Sequence, residues 1–255
     1  MLHPHKMLWG GILKNLKWGN DAVFYSLVLC GYIAFSVLIL NACFLHASRQ
    51  ASLGKGSYFP TVILDAGHGG VDSGAVGLDN VLEKDINLDI VLKLKSLFEV
   101  SGFNIKMTRD EDESIHSENS STIRSKKVSD LKNRLSIVNS DPNNLLISVH
   151  QNKFEDGRYK GAQVFYSKNN PQSQELAQSI RASFLGFVQK GNNREIKPSP
   201  KGVFLLNKST VPAVIVECGF LSNSEDVRNL LDKKYQSKVA FAIFCGFLDY
   251  WRKSG

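Results

Sequence analysis

Side chains that can bind metals or transfer protons follow three short apolar runs of this sequence. The run TVIL leads into Asp65 and His68, LLISV leads into His150, and AVIV leads into Glu217. Short apolar runs bounded by turn residues predict buried strands. Ligands of open α/β sheets bind beyond the carboxyl ends of the strands. If the three strands are parallel neighbours, His68, His150 and Glu217 therefore share one pocket.

Glu83 completes this candidate site. Apolar residues at helical spacing predict a helix over 83–100, and the first turn of that helix can reach the same edge of the sheet. Two imidazoles and one carboxylate form a catalytic zinc site with one position open for water. A second carboxylate is then needed to move a proton. We therefore assign Glu83 and the two histidines, His68 and His150, to zinc. Glu217 becomes the catalytic carboxylate.

Each of these residues also has a purely structural explanation. His68 fits a turn between glycines, and His150 fits a hydrogen-bonded core histidine. Glu83 fits a helix N-terminus, where the helix dipole favours a carboxylate. Glu217 is harder to explain in this way, because a carboxylate after AVIV is costly to bury unless it is paired or bound to a metal. The glycines at 67–70 lack the GK[ST] sequence of a phosphate-binding loop.

The rest of the body alternates predicted strands and helices, which position these residues. This alternation is typical of βαβ units. We predict a single three-layer α/β domain with a largely parallel sheet flanked by helices. Between Arg109 and Arg124 a serine-rich polar stretch predicts either a solvated loop or a lid or docking loop at 110–124. The predicted strands are 61–64, 103–107, 145–149, 162–166, 203–206 and 213–216, and the predicted helices are 83–100, 125–139, 173–188 and 235–251.

The N-terminal part of the chain has a different character. Residues 22–45 carry no charge over 24 positions, and a helix of that length can cross a hydrocarbon core of roughly 30 Å. Lys6, Lys14 and Lys17 precede it, so the positive-inside rule keeps the N-terminus in the cytoplasm and exports the body. The predicted organisation is a basic tail at 1–21, one transmembrane signal anchor at 22–45, a linker at 46–59 and a catalytic domain at 60–255.

Two other fates of the apolar segment would also export the body. One is cleavage as a signal peptide, and the other is lipidation at Cys43. Cys30 and Cys43 lie within the segment, which leaves Cys218 and Cys245 in the body without C-x-x-C spacing. We therefore expect neither a structural disulfide nor a cysteine-based zinc site.

Composition excludes several classes of protein. Hydrophobic residues make up 43% of the chain and charged residues 22%, which excludes general disorder. The formal charge of +7 comes from 31 basic and 24 acidic residues. Residues 1–55 hold five of the bases and one acid, so the body has 26 bases against 23 acids. A body this close to neutral is not a nucleic-acid binder.

Four short motifs contain the four site residues and follow one another along the body. They are LDAGHGG (64–70), LEKD (82–85), SVHQN (148–152) and VECGFLSN (216–223). In these motifs the sequence resembles the zinc-dependent N-acetylmuramoyl-L-alanine amidases, most closely the CwlD-type spore-cortex (germination-specific) amidases. The resemblance covers about residues 60–252, with Ala66 and Gln151 as departures from the family's usual residues. Neither departure is a ligand, so the departures concern the shape of the pocket and not the metal site.

The resemblance implies a function. His68, Glu83 and His150 would bind Zn²⁺, and Glu217 would be the catalytic carboxylate. The target would be the amide bond between the lactyl group of muramic acid and L-alanine in peptidoglycan. In spore cortex a downstream muramic acid deacetylase would then form muramic-δ-lactam. Such a protein would be anchored in the membrane with its catalytic domain facing the cortex space around the forespore. An activating protein partner remains open.

Two other functions fit the bare residues. One is a zinc peptidase or deacetylase acting on a different cell-wall bond, with nearly the same pocket chemistry. The other is a membrane-anchored binding module in which zinc is structural and Cys218 completes a closed set of four ligands. Asp65 and Asn152 stand close enough in sequence to the histidines to orient their imidazole rings.

Overall fold

Residues 60–254 fold into a sheet with helices on both faces. The structure, a computed structural model, describes these residues together with residues 25, 27–33 and 36–37. A short 3₁₀ turn at Leu78–Asn80 precedes the first long helix. The strands are β1 (Thr61–Ala66), β2 (Ile105–Met107), β3 (Asn144–Asn152), β4 (Gln163–Tyr166), β5 (Lys197–Pro198) and β6 (Ala213–Phe220). The helices are α1 (Glu83–Val100), α2 (Ile123–Val138), α3 (Gln172–Phe187), α4 (Phe204–Lys208), α5 (Ser224–Leu231) and α6 (Lys233–Ser254).

The sheet has the strand order β2-β1-β3-β6-β4-β5. β1, β2, β3 and β6 run parallel, whereas β4 is antiparallel to β6 and parallel to β5. The expected single α/β domain flanked by helices is confirmed. Its sheet, predicted to be largely parallel, is mixed, with β4 antiparallel to β6. The three strands that carry the predicted site are adjacent in the order β1, β3, β6. The condition for their polar residues to share a pocket is therefore met.

The strands are apolar on both sides because helices cover both faces of the sheet. On one face, side chains such as Leu64 and Val216 pack against α1, α3, α5 and α6. On the other face, Ile63 and Ile215 pack against α2 and α4 in a smaller cluster. Side chains alternate between faces along a strand. His150 and Glu217 consequently lie on the face that α2 and α4 cover.

The structure differs from the sequence predictions in three features. The strand predicted at 203–206 is wrong, because these residues begin the short helix α4, where Leu205 and Leu206 are both buried. Periodicity cannot separate a four-residue apolar run in a strand from one in a buried helix. Helix α5 was not predicted, although Asn223 caps it by accepting from two backbone N–H groups. β3 and β6 also continue past their apolar runs, so His150 and Glu217 lie within strands.

The predicted tail at 1–21, the linker at 46–59 and most of the predicted anchor at 22–45 lie outside the described residues. Within the anchor, residues 25, 27–33 and 36–37 are helical. Among the residues that the structure describes, no helix combines the length and apolar character needed to cross a membrane.

Candidate metal centre

The loop after β1, the start of α1 and the end of β3 bring His68, Glu83 and His150 together. One ligand atom from each of these residues lies within 4.8 Å of the others. The carboxylate of Glu83 stands between the two rings, 3.3 Å from Nε2 of His68 and 2.8 Å from Nδ1 of His150. Two ligands bound at about 2.0–2.1 Å to one tetrahedral ion lie about 3.3 Å apart. The distance between Oε2 of Glu83 and Nε2 of His68 equals this spacing, and the three ligand atoms together are close enough to share a metal ion.

His68 is held by its second ring nitrogen. Its Nδ1 donates to Oδ2 of Asp72 at 2.9 Å, because an ionised carboxylate can only accept. This bond leaves Nε2 free to face Glu83, an arrangement common among histidines that bind metals. Burial lowers the pKa of His68, but its hydrogen bonds to Asp72 and Glu83 outweigh burial and raise the pKa to about 9.

Glu83 is a buried carboxylate that remains charged. Its Oε2 accepts from the backbone N–H of Ala75 at 2.8 Å, and its Oε1 accepts from the backbone N–H of Gln151 at 3.2 Å. Burial alone would raise the pKa of Glu83, but the hydrogen bonds to the two histidines hold that pKa far below its usual range. An ionised, well-oriented oxygen is the form that binds a divalent cation.

His150 depends on the glycine beside it. A methyl group on Gly67 would lie 2.2 Å from Cε1 of His150, far inside any van der Waals contact. The two imidazole rings meet edge to face, with their centroids 5.0 Å apart. The φ angle of His68 is positive, at 63°, and the φ angles of Gly69 and Gly70 beyond it are also positive. The glycines thus permit both the close approach of His150 and the turn that carries His68.

Glu217 lies next to this set without belonging to it. It faces His150 in the parallel register of β3 and β6. Its Oε2 is buried and has no hydrogen-bond partner among the described residues. Burial raises the pKa of Glu217 to about 7, with Glu83 adding to the rise and the two histidines opposing it. A carboxylate with this pKa is suited to exchange protons near neutral pH.

Residues that sequence reasoning did not identify hold the glycine-rich segment in place. Arg109 donates from Nε to the carbonyl of Ala66 at 2.9 Å and from Nη2 to that of Gly67 at 3.1 Å. Arg134 donates to the carbonyl of Ala66 at 2.8 Å and to that of His68 at 2.7 Å. The three consecutive carbonyls around the metal-binding turn are therefore fixed by two buried guanidinium groups.

The expected orienting roles of Asp65 and Asn152 are wrong. Asp65 accepts from Arg134 and from the hydroxyls of Thr108 and Ser148, not from an imidazole. Asn152 uses its side-chain oxygen to cap the next backbone N–H. Asp72 orients His68 instead, and no pattern in the sequence distinguishes it from other loop aspartates.

The 110–124 loop lies against the metal-binding segment. Asp112 accepts from the backbone N–H of Gly70 at 2.9 Å and from Nζ of Lys84 at 2.6 Å. Farther along, Ile115 donates its backbone N–H to Asp130 of α2 at 2.8 Å. The loop is thus attached both to the turn around His68 and to α2.

Cys218 is not part of the centre. It follows Glu217 in β6, so it points to the opposite face and lies in the apolar core there. Its Sγ contacts the carbonyl of Val216, and burial raises the pKa of its thiol. Within the described part of the chain, the metal-binding set consists of His68, Glu83 and His150. This contradicts a closed site with Cys218 as the fourth ligand.

An open set of two histidines and one glutamate, beside a buried carboxylate near the carboxyl ends of parallel strands, defines the site of a metal-dependent hydrolase. Residues 62–248 match the N-acetylmuramoyl-L-alanine amidase family, and the chain belongs to that family. It is an N-acetylmuramoyl-L-alanine amidase, which acts on peptidoglycan.

Individual relatives are similar over nearly the same part of the chain. The germination-specific N-acetylmuramoyl-L-alanine amidase of Bacillus subtilis strain 168 is 32% identical over 194 residues, or 76% of this chain and 81% of that protein. The CwlD amidase of Clostridioides difficile, solved in complex with the GerS lipoprotein, is 44% identical with a TM-score of 0.73. That match covers 76% of this chain and 99% of the solved CwlD chain. AmiC2 of Nostoc punctiforme is 29% identical with a TM-score of 0.65, covering 77% and 99%.

Proposed function

We propose that this amidase uses zinc, bound by His68, Glu83 and His150, with Glu217 as its catalytic carboxylate. The observation that carries the proposal is the contrast between the two glutamates. Glu83 lies between both imidazoles and is held ionised. Glu217 keeps a buried oxygen without a partner and a pKa of about 7. One glutamate thus suits a metal ligand, and the other suits a group that gains and loses a proton.

Each residue has a distinct part in the hydrolysis. A bound zinc ion supplies polarisation of the scissile carbonyl and activation of water. Glu217 accepts a proton from the attacking water and later gives it to the departing amine of L-alanine. Asp72 binds Nδ1 of His68, so that Nε2 is the ring nitrogen left to bind the ion. Arg109 and Arg134 hold the backbone on which His68 stands.

The biological setting belongs to the same proposal. Two relatives support a role in spore cortex maturation: the Bacillus subtilis protein named germination-specific, and the Clostridioides difficile CwlD amidase. Removal of stem peptides would prepare muramic acid for a deacetylase and so for muramic-δ-lactam. Residues 22–45 would anchor the chain, with its catalytic domain outside the cytoplasm facing the cortex space. CwlD was solved with a lipoprotein, which supports an activating protein partner here.

Product analysis tests the chemistry directly. The full-length chain, loaded with zinc, is incubated with purified peptidoglycan, and the released fragments are identified by mass spectrometry. We expect free stem peptides that begin with L-alanine, together with muramic acid that has lost its peptide. Cuts inside the stem would indicate a peptidase, and loss of acetate would indicate a deacetylase.

The variant Glu217→Gln tests the division between the two glutamates. It should bind one zinc ion per chain, as the wild type does, and release no peptide. Glu83→Gln should lose zinc affinity itself. If Glu217→Gln lost the metal while Glu83→Gln retained it, the assignment would be reversed. The setting is tested by cortex analysis of a deletion strain, which should lack muramic-δ-lactam; a normal lactam content would contradict the cortex role.

A further inference from the structure

A cavity with four cations among its eight lining residues lies beside the catalytic site. Its volume is about 520 Å³, and Tyr159, Gln163 and Asn193 also contribute to its wall. The one acidic residue of the lining, Glu195, is paired with Arg181 at 2.5 Å outside the cavity wall. The cations of the lining are Arg158, Lys160, Arg194 and Lys197.

The strand register connects this cavity to Glu217. Gln163 of β4 pairs directly with Glu217 of β6, and Lys197 of β5 pairs with Phe165, two residues further along β4. Paired residues on neighbouring strands point to the same face of a sheet. Glu217, Gln163 and Lys197 therefore line one face. Lys197 is two strands across the sheet from Glu217 and two residues back along the strands, so their backbones are about 12 Å apart.

Arg194 is held rigidly over the same face. Its Nε donates to the carbonyl of Lys160 at 2.9 Å. Its guanidinium carbon lies 4.5 Å from the ring centre of Phe220 and 5.7 Å from that of Tyr159. Phe220 pairs with Asn152 at the end of β6, beside the catalytic strand ends. The two terminal nitrogens of Arg194 make no hydrogen bond to any described residue, so they remain available as donors at the cavity wall.

The unpaired positive charge of the cavity lies on two of its four cations. Arg158 is paired with Asp156 at 2.7 Å, and Lys160 with Glu225 at 2.7 Å. Arg194 and Lys197 form no ion pair within the described part of the chain. A guanidinium with two free parallel N–H groups matches the geometry of a carboxylate.

We propose that Arg194 and Lys197 form a binding site for a carboxylate of the acidic stem peptide, on the leaving-group side of the scissile amide. The proposal rests on the proposed function, because that function fixes the scissile bond at Glu217. Each peptide residue extends the chain by about 3.5 Å. The second residue after the cut thus lies about 7 Å from it, and its own side chain and the long side chains of the two cations span the remaining distance. The site favours acidic over neutral stem peptides.

The test compares two synthetic substrates with the full-length zinc enzyme. One is N-acetylmuramoyl-L-alanyl-D-glutamic acid, and the other is the same compound with both glutamyl carboxyls converted to amides. We expect the wild type to cleave the diacid with a kcat/KM about tenfold higher, the change given by one charge-assisted hydrogen bond. In Arg194→Gln and in Lys197→Gln this ratio should fall to within about twofold of one. Lys238→Gln removes one exposed charge from α6, on the other face of the sheet, and should keep the ratio.

Binding measurements separate this proposal from the proposed function. Both compounds are titrated into Glu217→Gln, which should hold them without cleaving them, and into the double variant Glu217→Gln/Arg194→Gln. Tighter binding of the diacid only when Arg194 is present supports the site. Equal cleavage and equal binding of the two compounds by the wild-type cavity would overturn it, with amidase activity intact. An equal loss for both compounds in Arg194→Gln would also overturn it, because the cavity would then hold the sugar. Selective binding of the diacid together with no release of peptide by the wild-type zinc enzyme would instead contradict the proposed function.

Discussion

Replacing Arg134 by methionine should destabilise the domain by about 3–5 kcal/mol at pH 7, the usual cost of leaving a buried charge without its partner. The guanidinium is almost fully buried and lies 2.6 Å from Oδ1 of Asp65 and 2.6 Å from Oδ2 of Asp130. It also donates to the carbonyls of Ala66 and His68. Without it, buried Asp65 keeps only two hydroxyl donors. Methionine fills similar volume, so a cavity contributes little to the loss.

The loss should depend on pH. Burial raises the pKa of Asp65, but Arg134 and the two hydroxyls outweigh burial and lower it from 3.8 to about 2. A carboxyl with a lowered pKa stabilises the fold above its unfolded pKa, near 4, and this stability is lost as pH falls through about 2. The shift corresponds to about 2 kcal/mol. In Arg134→Met the two hydroxyls remain but the guanidinium that opposes burial most strongly is lost. The pKa of Asp65 should therefore rise, so that ionised Asp65 destabilises the fold at neutral pH and protonation relieves the loss.

Urea unfolding, followed by circular dichroism between pH 3 and pH 8, measures both effects. The deficit of Arg134→Met should be largest near pH 7 and should shrink towards pH 3. Asp65→Asn in the Arg134→Met background removes the unpaired charge and should recover part of the stability. A deficit below 1 kcal/mol at pH 7, or one that stays constant across this range, would refute the role given to the Asp65–Arg134 pair.

Three further predictions concern the metal centre. Gly67→Ala places a methyl carbon 2.2 Å from the imidazole ring of the metal-binding histidine in β3. Zinc affinity and activity should therefore fall about 100-fold. As a control, Gly202→Ala places a methyl group that meets no atom within 4 Å and should leave zinc content unchanged. Asp72→Asn removes the carboxylate that orients His68, and zinc competition should show a loss of about 10–100-fold; wild-type affinity would contradict that role. Glu217 must be ionised to accept a proton, and its pKa is raised to about 7 by burial. The kcat/KM of the zinc enzyme should therefore decline below about pH 7, and a flat profile down to pH 5 would exclude this assignment.

The sequence predicts best those parts of the fold in which apolar residues recur with a regular spacing. Helix α1 begins and ends where its apolar stripe predicts, at Glu83 and Val100. The runs TVIL, LLISV and AVIV are buried strands because both faces of the sheet are covered. The run VFLL at 203–206 carries the same local signal but forms a helix. Its two leucines fill the space beside α2, and that packing is decided by elements far away in the chain.

The residues of the site also divide into those that the sequence predicts and those that it does not. His68, Glu83, His150 and Glu217 could be grouped because each stands at the end of a predicted element, and topology alone brings those ends together. The cations that line the cavity beside the catalytic site could not be grouped in this way. Arg194 follows an irregular segment, and its place over Phe220 results from contacts between loops that carry no periodic signal.

The buried arginines Arg109 and Arg134 show why the sequence does not predict the remainder of the site. His68 adopts a left-handed backbone conformation, with φ of 63°, which costs a residue with a side chain about 1–3 kcal/mol. Such a conformation persists only where its surroundings fix it. Arg134 does so from 66 positions further along the chain, by binding the carbonyl of His68 itself. The metal centre therefore depends on a charge in α2 that touches none of its ligand atoms. The guanidinium that keeps Asp65 ionised also holds the metal-binding turn in place.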